Sequence, residues 1–551
     1  MANLAEPRPI WWRVSTVAVV VSVLAAFLAA VWYLWPVTSR DPLARVTALQ
    51  VAFTLAFGVG GLATLALVAR RQWHQEVTHA AEHHDARERR LTEQYLAAVN
   101  QLGHDHASVR LAGLHALDRI GQAHPEQRDV IVDVWCGYLR RRFTPLAQTA
   151  GNGAAAVEEA ALHDEFEVRM TAQRLLVGHL RHEGSINRDG NLAPPTGEGY
   201  WALEKLELNG ATLIDADFTG CTLPRVHARG VRFHGRTVLA DVYFTDRVTF
   251  TEARFADEAD FAGAVFAADV DFTGSRFTGP AGFSTTVFRG LAVFNGSSFA
   301  AGATFARTRF GMDASYTKAC FEDGVSFENA WFFFGVSFAS MCVEGHAAFR
   351  GLRVMQRAVF TGAMFAGTVA FDSAQFGHSA TFVRVWFEAS AGFRDVFFDR
   401  NARFEDAHFG DVARFAKARF KGEAQFAAAR FTGVNDFQAA EFVGRVDFTG
   451  AAFTGRAHLE EASIPPPELT ENLTMTPPAA GPESTWPPGW QPEPAKSGWI
   501  LRECCLGGRF GVDPGYVFGE SSGLDVADCG GACGVVADAS DRRGHPHQRI
   551  R

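Results

Sequence analysis

The sequence predicts a multi-domain chain: a two-helix transmembrane hairpin, an α-helical segment and then a long solenoid. Three observations lead there. Two apolar runs near the start are each long enough to span a bilayer, a proline-free stretch of helix formers follows, and from Phe244 to Leu459 a large apolar residue returns every five or six positions. The parts are an anchor at 1–72, a helical adaptor at 73–183, a connector at 184–202, the solenoid at 203–463 and a tail at 464–551.

Composition sets the outer bounds. With 47% hydrophobic and 21% charged residues over 551 positions, the chain is not wholly disordered. A formal net charge of −9 is small for this length and gives no argument for nucleic-acid binding. Its eight cysteines are sparse, and the four before the tail, Cys136, Cys221, Cys320 and Cys342, are widely scattered, which fits a reducing compartment better than a disulfide framework.

Residues 14–35 form an uncharged run of 22, closed by Pro36 and flanked by Trp11, Trp12, Trp32, Tyr33 and Trp35. A spanning helix needs ~20 apolar residues, and amphipathic rings favour the membrane interface. The run is too long for a signal peptide, lacks a small-x-small cleavage site and is followed by a second run at 46–69. Arg8, Arg13, Arg70, Arg71, Arg87, Arg89 and Arg90 outnumber Arg40 and Arg45 of the connector, which places both ends in the cytoplasm. The expected location is therefore the cell membrane, multi-pass, with the lipid bilayer as partner through 14–35 and 46–69.

After Arg71 the residues are strong helix formers. Val109, Ala112, Gly113, Ala116, Leu117 and Ile120 recur at helical steps, with Asp105 or Ser108 as candidate caps and Gly121 as a stop. Pro125 opens another helix, whose predicted apolar face is Val130, Ile131, Val134, Trp135, Tyr138 and Leu139; a third is expected at 166–182. The pair Val109-Arg110 with Ala116-Leu117 is echoed by Val168-Arg169 with Leu175-Leu176, which leaves a simple helical bundle and a HEAT-like stack both open. His74, His79, His83, His84, His104 and His106 invite a metal reading, and His79 to His83 even matches H-x-x-E-H. No third ligand is placed by any pattern, so they read as a solvated polar face and no metal ligand is assigned.

The solenoid begins with a step of five, Leu203, Leu208, Leu213, Phe218 and Leu223. From Phe250 to Phe448 the gaps alternate five and six, a true period of eleven held for eighteen periods; 36 of the 40 rungs from Phe244 to Leu459 are Phe. Neither a helix nor a strand alternation yields such gaps; a solenoid does. In a narrow coil of short parallel strands, one large side chain per face fills the axis and the residue two places earlier must be small. Ala253, Ala264, Ala303, Ala413 and Ala424 obey this, and where the rung shrinks, at Val343 and Val354, the partner grows to Met341 and Leu352.

The runs Ala216-Asp217-Phe218-Thr219-Gly220, Ala259-Asp260-Phe261-Ala262-Gly263 and Val270-Asp271-Phe272-Thr273-Gly274 resemble the pentapeptide-repeat family, and the whole layout resembles its membrane-anchored members of actinobacterial type. The resemblance implies a right-handed quadrilateral parallel β-helix and no chemical activity. The chain departs from the family pattern by one extra residue in alternate steps, so two elevens make a coil of twenty-two with additions at two of four corners. Nine such coils would extend ~43 Å.

About 29 acidic and 26 basic residues occupy 203–460, a balance of −3, and only 252–271 is locally acidic. Mimicry of duplex DNA, known for some family members against topoisomerases, needs a denser negative surface. Ten of the 22 prolines lie in 465–494, which reads as an extended linker, followed by a disordered glycine-rich tail whose Cys504, Cys505, Cys529 and Cys533 match known zinc spacings poorly. The expected function is a membrane-anchored, non-enzymatic scaffold whose rod binds a protein partner; the alternative is a DNA-mimicking modulator of a topoisomerase such as gyrase. No catalytic residue, cofactor or metal site is assigned, and nucleic acid is not the expected partner.

Overall fold

The computed structural model describes residues 11–34, 36, 42–143, 156–181 and 199–463, with short pieces between 470 and 503. The cysteines of the tail and most of the 184–202 connector lie outside the described residues.

Both apolar runs are helical, α1 over Trp11–Leu34 and α2 over Pro42–Leu102, and Phe27 packs on Phe53 with ring centroids 4.9 Å apart. Among the described residues, no helix is long and apolar enough to cross a membrane. The second helix runs through residue 72 without a break. It continues to Leu102 because no glycine or proline interrupts the chain between Gly61 and Gly103.

Three further helices make the adaptor: α3 (Ala107–Ala123), α4 (Arg128–Leu139, entered through the 3₁₀ turn Pro125–Gln127) and α5 (Ala156–Leu180). Three local expectations are corrected. Neither Asp105 nor Ser108 caps α3; the N-cap is His106, which makes no side-chain cap bond, and its N–H donates to His104 Nδ1 (3.1 Å). Gly121 does not stop the helix but lies within it, where a Cβ would collide with the Trp201 indole. On α4 the buried face includes Val132 and Cys136, while Val130 is exposed.

The echoed Val-Arg pairs have a physical reason. The fully buried Arg169 donates to Glu165 (2.8 Å) and to the carbonyls of Leu139 (3.1 Å) and Arg141 (2.6 Å) at the end of α4. Arg110 meets the same Glu165 at 3.3 Å and Tyr138 donates to it at 2.7 Å. One carboxylate thus gathers α3, α4 and α5, satisfying charges that would be costly to bury alone.

From Lys205 the chain winds into a right-handed parallel β-solenoid of about 12 turns with four sheets. Face 1 holds Lys205–Glu207, Arg225–His227, Val248–Thr249 and their successors; face 2 holds Thr212–Ile214, Arg232–His234 and Arg254–Phe255; face 3 holds Thr237–Val238 and Ala259–Asp260; face 4 holds Thr222–Leu223, Tyr243–Phe244 and Val265–Phe266. Register records the change of period directly. Lys205 lies opposite Arg225, twenty residues on; Thr222 opposite Tyr243, twenty-one on; Val270 opposite Ala292, twenty-two on. The extra residues sit between faces 2 and 3 (Phe255 to Phe261) and between faces 4 and 1 (Phe266 to Phe272), two opposite corners.

The other two corners share a different signature. At twenty positions from Glu252 to Glu461, spaced by eleven, φ lies between 54° and 70°, yet only six of them are glycine. A left-handed conformation costs an L-residue ~1–2 kcal/mol. Inter-coil hydrogen bonds made by the same residues offset it: Glu252 N–H donates to Thr273 O (2.8 Å) and Lys318 N–H to Ala339 O (2.9 Å). The aspartates of the motif serve these corners, for Asp260 and Asp271 accept from the N–H two residues on at 2.9 and 2.8 Å.

Inside, every rung from Phe244 to Leu459 is buried, as are the residues two places earlier. Rings stack along each face at the strand spacing, Phe255 on Phe277 at 4.6 Å and Phe261 on Phe283 at 4.6 Å, while faces 1 and 3 meet edge to face across the axis, as Phe272 with Phe283 at 5.7 Å and 87°. Where the small partner is Ser or Thr its hydroxyl reaches a carbonyl: Ser275 to Phe250 (2.7 Å), Thr286 to Phe261 (2.8 Å), Thr308 to Phe283 (2.7 Å).

Neither end of the solenoid is left bare. At the first coil the Gln173 amide of α5 acts as a strand, donating to Ile214 O (2.8 Å) and accepting from Ile214 N–H (2.9 Å), and Arg140 donates to Glu207 O (2.6 Å). His179 stacks on Trp201 at 3.8 Å and contacts Asp118 Oδ1 at 2.6 Å, joining α5, α3 and the start of the rod. At the last coil Ser463 pairs with Glu441, Thr470–Glu471 with Val446–Asp447, and Thr485 with His458. Beyond these, Trp490–Ala495 and Gly498–Glu503 form an antiparallel pair joined by Thr474–Met475, within the 464–551 stretch read from sequence as linker and disordered tail.

Candidate interaction faces of the rod

With the rungs and their small partners turned inward, function is left to the first residue of each strand on faces 2 and 4, the second residue on faces 1 and 3, and the corners. Most of these are polar or charged, and many pair between coils: Arg225 with Asp246 (2.7 Å), Arg247 with Asp269 (3.0 Å), Arg350 with Glu328 (3.3 Å) and Lys421 with Asp399 (2.7 Å). Such exposed pairs contribute ~0–1 kcal/mol each. They matter more for what they do to the acidic stretch at 252–271. Glu252, Glu258 and Asp269 are each held by an arginine of the preceding coil, Arg229, Arg236 and Arg247, and Asp260 and Asp271 serve corners. Three of the six carboxylates of that stretch are thus paired with arginines.

Beside isolated outward residues such as Met364, Trp386 and Val443, a run of apolar side chains breaks the polar pattern. At the corner between faces 4 and 1, Leu291, Met312, Phe333, Phe334 and Met355 follow one another over four successive coils, each between 41% and 50% exposed. Phe333 rests on Trp331, ring centroids 4.2 Å apart, which fixes its orientation. Beside this ridge runs a shallow groove on face 1, lined by Asp313, Arg357 and His378. An apolar ridge with a polar margin, on a backbone that does not yield, has the make-up of a protein-binding surface.

Residues 239–287 and 415–463 match the family model of pentapeptide repeats, in nine copies. Over those residues the rod is a pentapeptide-repeat solenoid. No curated protein and no solved structure matches the chain. In a pentapeptide-repeat coil the Ala-Asp-Phe core is structural throughout, which agrees with the burial of the rungs and the turn role of Asp260 and Asp271. Among the described residues, no group of three or more His, Cys, Asp or Glu gathers as a metal site. His104 and His106 stack on each other 5.3 Å apart, whereas His74, His79, His83 and His84 lie on α2 with side chains outside the described residues.

The ridge escaped the reading of the sequence, although its signal was there. Phe333 and Phe334 stand directly after the rung Phe332 and off the ladder, where a pentapeptide-repeat coil has no interior position to give them.

Proposed function

We propose that the protein is a rigid, non-enzymatic interaction module whose pentapeptide-repeat rod docks a protein partner along the Leu291–Met355 ridge, with the N-terminal hairpin as its lipid contact. The exposed ridge carries the reading. Five large apolar side chains held half-exposed on a regular lattice lose little conformational freedom on binding, which favours recognition without rearrangement. The lipid contact rests on Val17, Val20, Leu24, Leu28, Trp32, Phe57 and Leu65, all exposed on α1 and on the first half of α2, where Phe27 packs on Phe53. The paired acidic surface favours no topoisomerase reading.

Photo-crosslinking in cells from position 334 of the full chain tests the docking face. A discrete adduct is expected from position 334 and not from position 454 on the last coils, and Phe333→Glu with Met355→Glu should abolish it. Equal adducts from both positions would overturn the ridge as the docking face. Loss of the protein from the membrane fraction on deleting 1–72, with the adduct retained, would separate the lipid contact from the docking function.

A further inference from the structure

Face 2 carries an outward column that the interaction reading does not use. In register on successive coils stand Cys320, Cys342 and Met364, followed by Trp386 and His408. In each strand the second residue, Phe321, Val343 or Phe365, points into the core, so the sulfur-bearing residue before it points out. Cys320 and Met364 are exposed and Cys342 is half-buried, and both thiols are free. Cys320 and Cys342 are direct register partners on adjacent strands.

Three sulfur atoms on one face, one per coil, is an unusual surface for a chain with seven methionines and eight cysteines in 551 residues. Neighbouring strands stand ~4.8 Å apart, and one ion with metal–sulfur bonds of ~2.3 Å bridges two thiolates at that spacing without moving the backbone. The flexible Met364 thioether, next in the column, supplies a third donor. Thiolate and thioether together select soft cations, copper(I) above all, over zinc, which prefers four nitrogen or sulfur ligands in a tetrahedron. His408 does not complete such a set: it lies two coils beyond Met364 and its ring is stacked on Trp386 at 3.9 Å.

We propose that Cys320, Cys342 and Met364 form a binding site for one soft, thiophilic monovalent cation of the copper(I) class. On binding, each thiol releases one proton to solvent and both sulfurs bond to the ion, with no change in oxidation state.

The same spacing also falls within the Cα separation of a disulfide, and the test distinguishes the two. The full chain, with Cys504, Cys505, Cys529 and Cys533 replaced by serine, is titrated anaerobically with copper(I) against a chromophoric copper(I) chelator. One equivalent should be withdrawn, and copper should protect Cys320 and Cys342 from alkylation as read by mass spectrometry. Cys320→Ser or Cys342→Ser should abolish withdrawal, and Met364→Leu should weaken it by ~10-fold or more. Circular dichroism confirms that these outward substitutions leave the fold intact. Copper retained by the Cys320→Ser/Cys342→Ser double variant, alkylation indifferent to copper, or recovery of the pair as a disulfide under the anaerobic conditions would overturn the site. An unchanged affinity in Met364→Leu would overturn the three-sulfur assignment.

Discussion

Tyr316 is the one rung of the ladder that carries a polar atom. Its ring keeps the stack, 4.8 Å from Phe294 and 5.3 Å from Phe338, but its hydroxyl is buried with no hydrogen-bond partner and burial pushes its pKa well above the usual value. A buried hydroxyl left unmade costs ~1–3 kcal/mol. Tyr316→Phe is therefore expected to stabilise the rod by about 1 kcal/mol, read as a higher urea midpoint. A lower midpoint would mean that the hydroxyl finds a partner in solution.

At the scale of the element, the coil containing Val343 and Val354 shows how volume is shared. Both valines are buried, and so are Met341 and Leu352, the enlarged partners beside them. Met341→Ala should cost ~2–5 kcal/mol by opening a cavity, and Val343→Phe alone ~1–3 kcal/mol by overpacking. The double variant should recover most of both, with a coupling energy of ~1 kcal/mol or more; additive losses would show that the two side chains do not share the space. This exchange and the period of eleven were legible in the sequence, because a register can repeat only if large side chains return to the same wall; the four-sided section came from the family resemblance, and with it the coil of twenty-two. The caps on α3 and the role of Gly121 were not, since both depend on Trp201 and His104, whose positions are set by packing across elements. Outward residues were illegible for a related reason: nothing inside the coil constrains them, so no period marks them.

The joint between helices and rod is an element with its own chemistry. Burial pushes the Cys136 thiol up to about 12 and Cys221 up to about 12, and burial together with the hydrogen bond to Glu165 raises Tyr138 to about 12. All three lie above their ordinary 9.0 or 10.0, so the folded joint holds protons that the unfolded chain gives up first. That stabilisation is complete below pH 9 and is lost as the pH climbs towards about 12. The urea midpoint should fall over that window, and Tyr138→Phe should flatten the part of the fall above pH 10. An identical slope in the variant would remove Tyr138 from the account.

For the whole molecule the decisive fact is that both ends of the solenoid are occupied. An open parallel edge offers unpaired N–H and C=O groups to any other chain; here α4 and α5 cover one end, and Ser463, Thr470–Glu471 and Thr485 pair with the other. Deleting 464–551 should bare the last coil and produce concentration-dependent self-association in sedimentation beyond that of the full chain. Unchanged sedimentation would show that the return of the tail is not what keeps that end closed.

The alternation of tight left-handed corners with corners one residue longer reaches further than the turns themselves. It makes half a winding, not a whole one, the smallest unit that repeats: the backbone maps onto itself by a half rotation and half a step along the axis. A partner feeling only the main chain would find two equivalent berths per winding, on opposite sides. Phe333, Phe334 and Met355 have no counterparts on the far side, where Met312-like positions carry Ala301 and Asp323. Those few side chains turn a repetitive screw into a surface with one address.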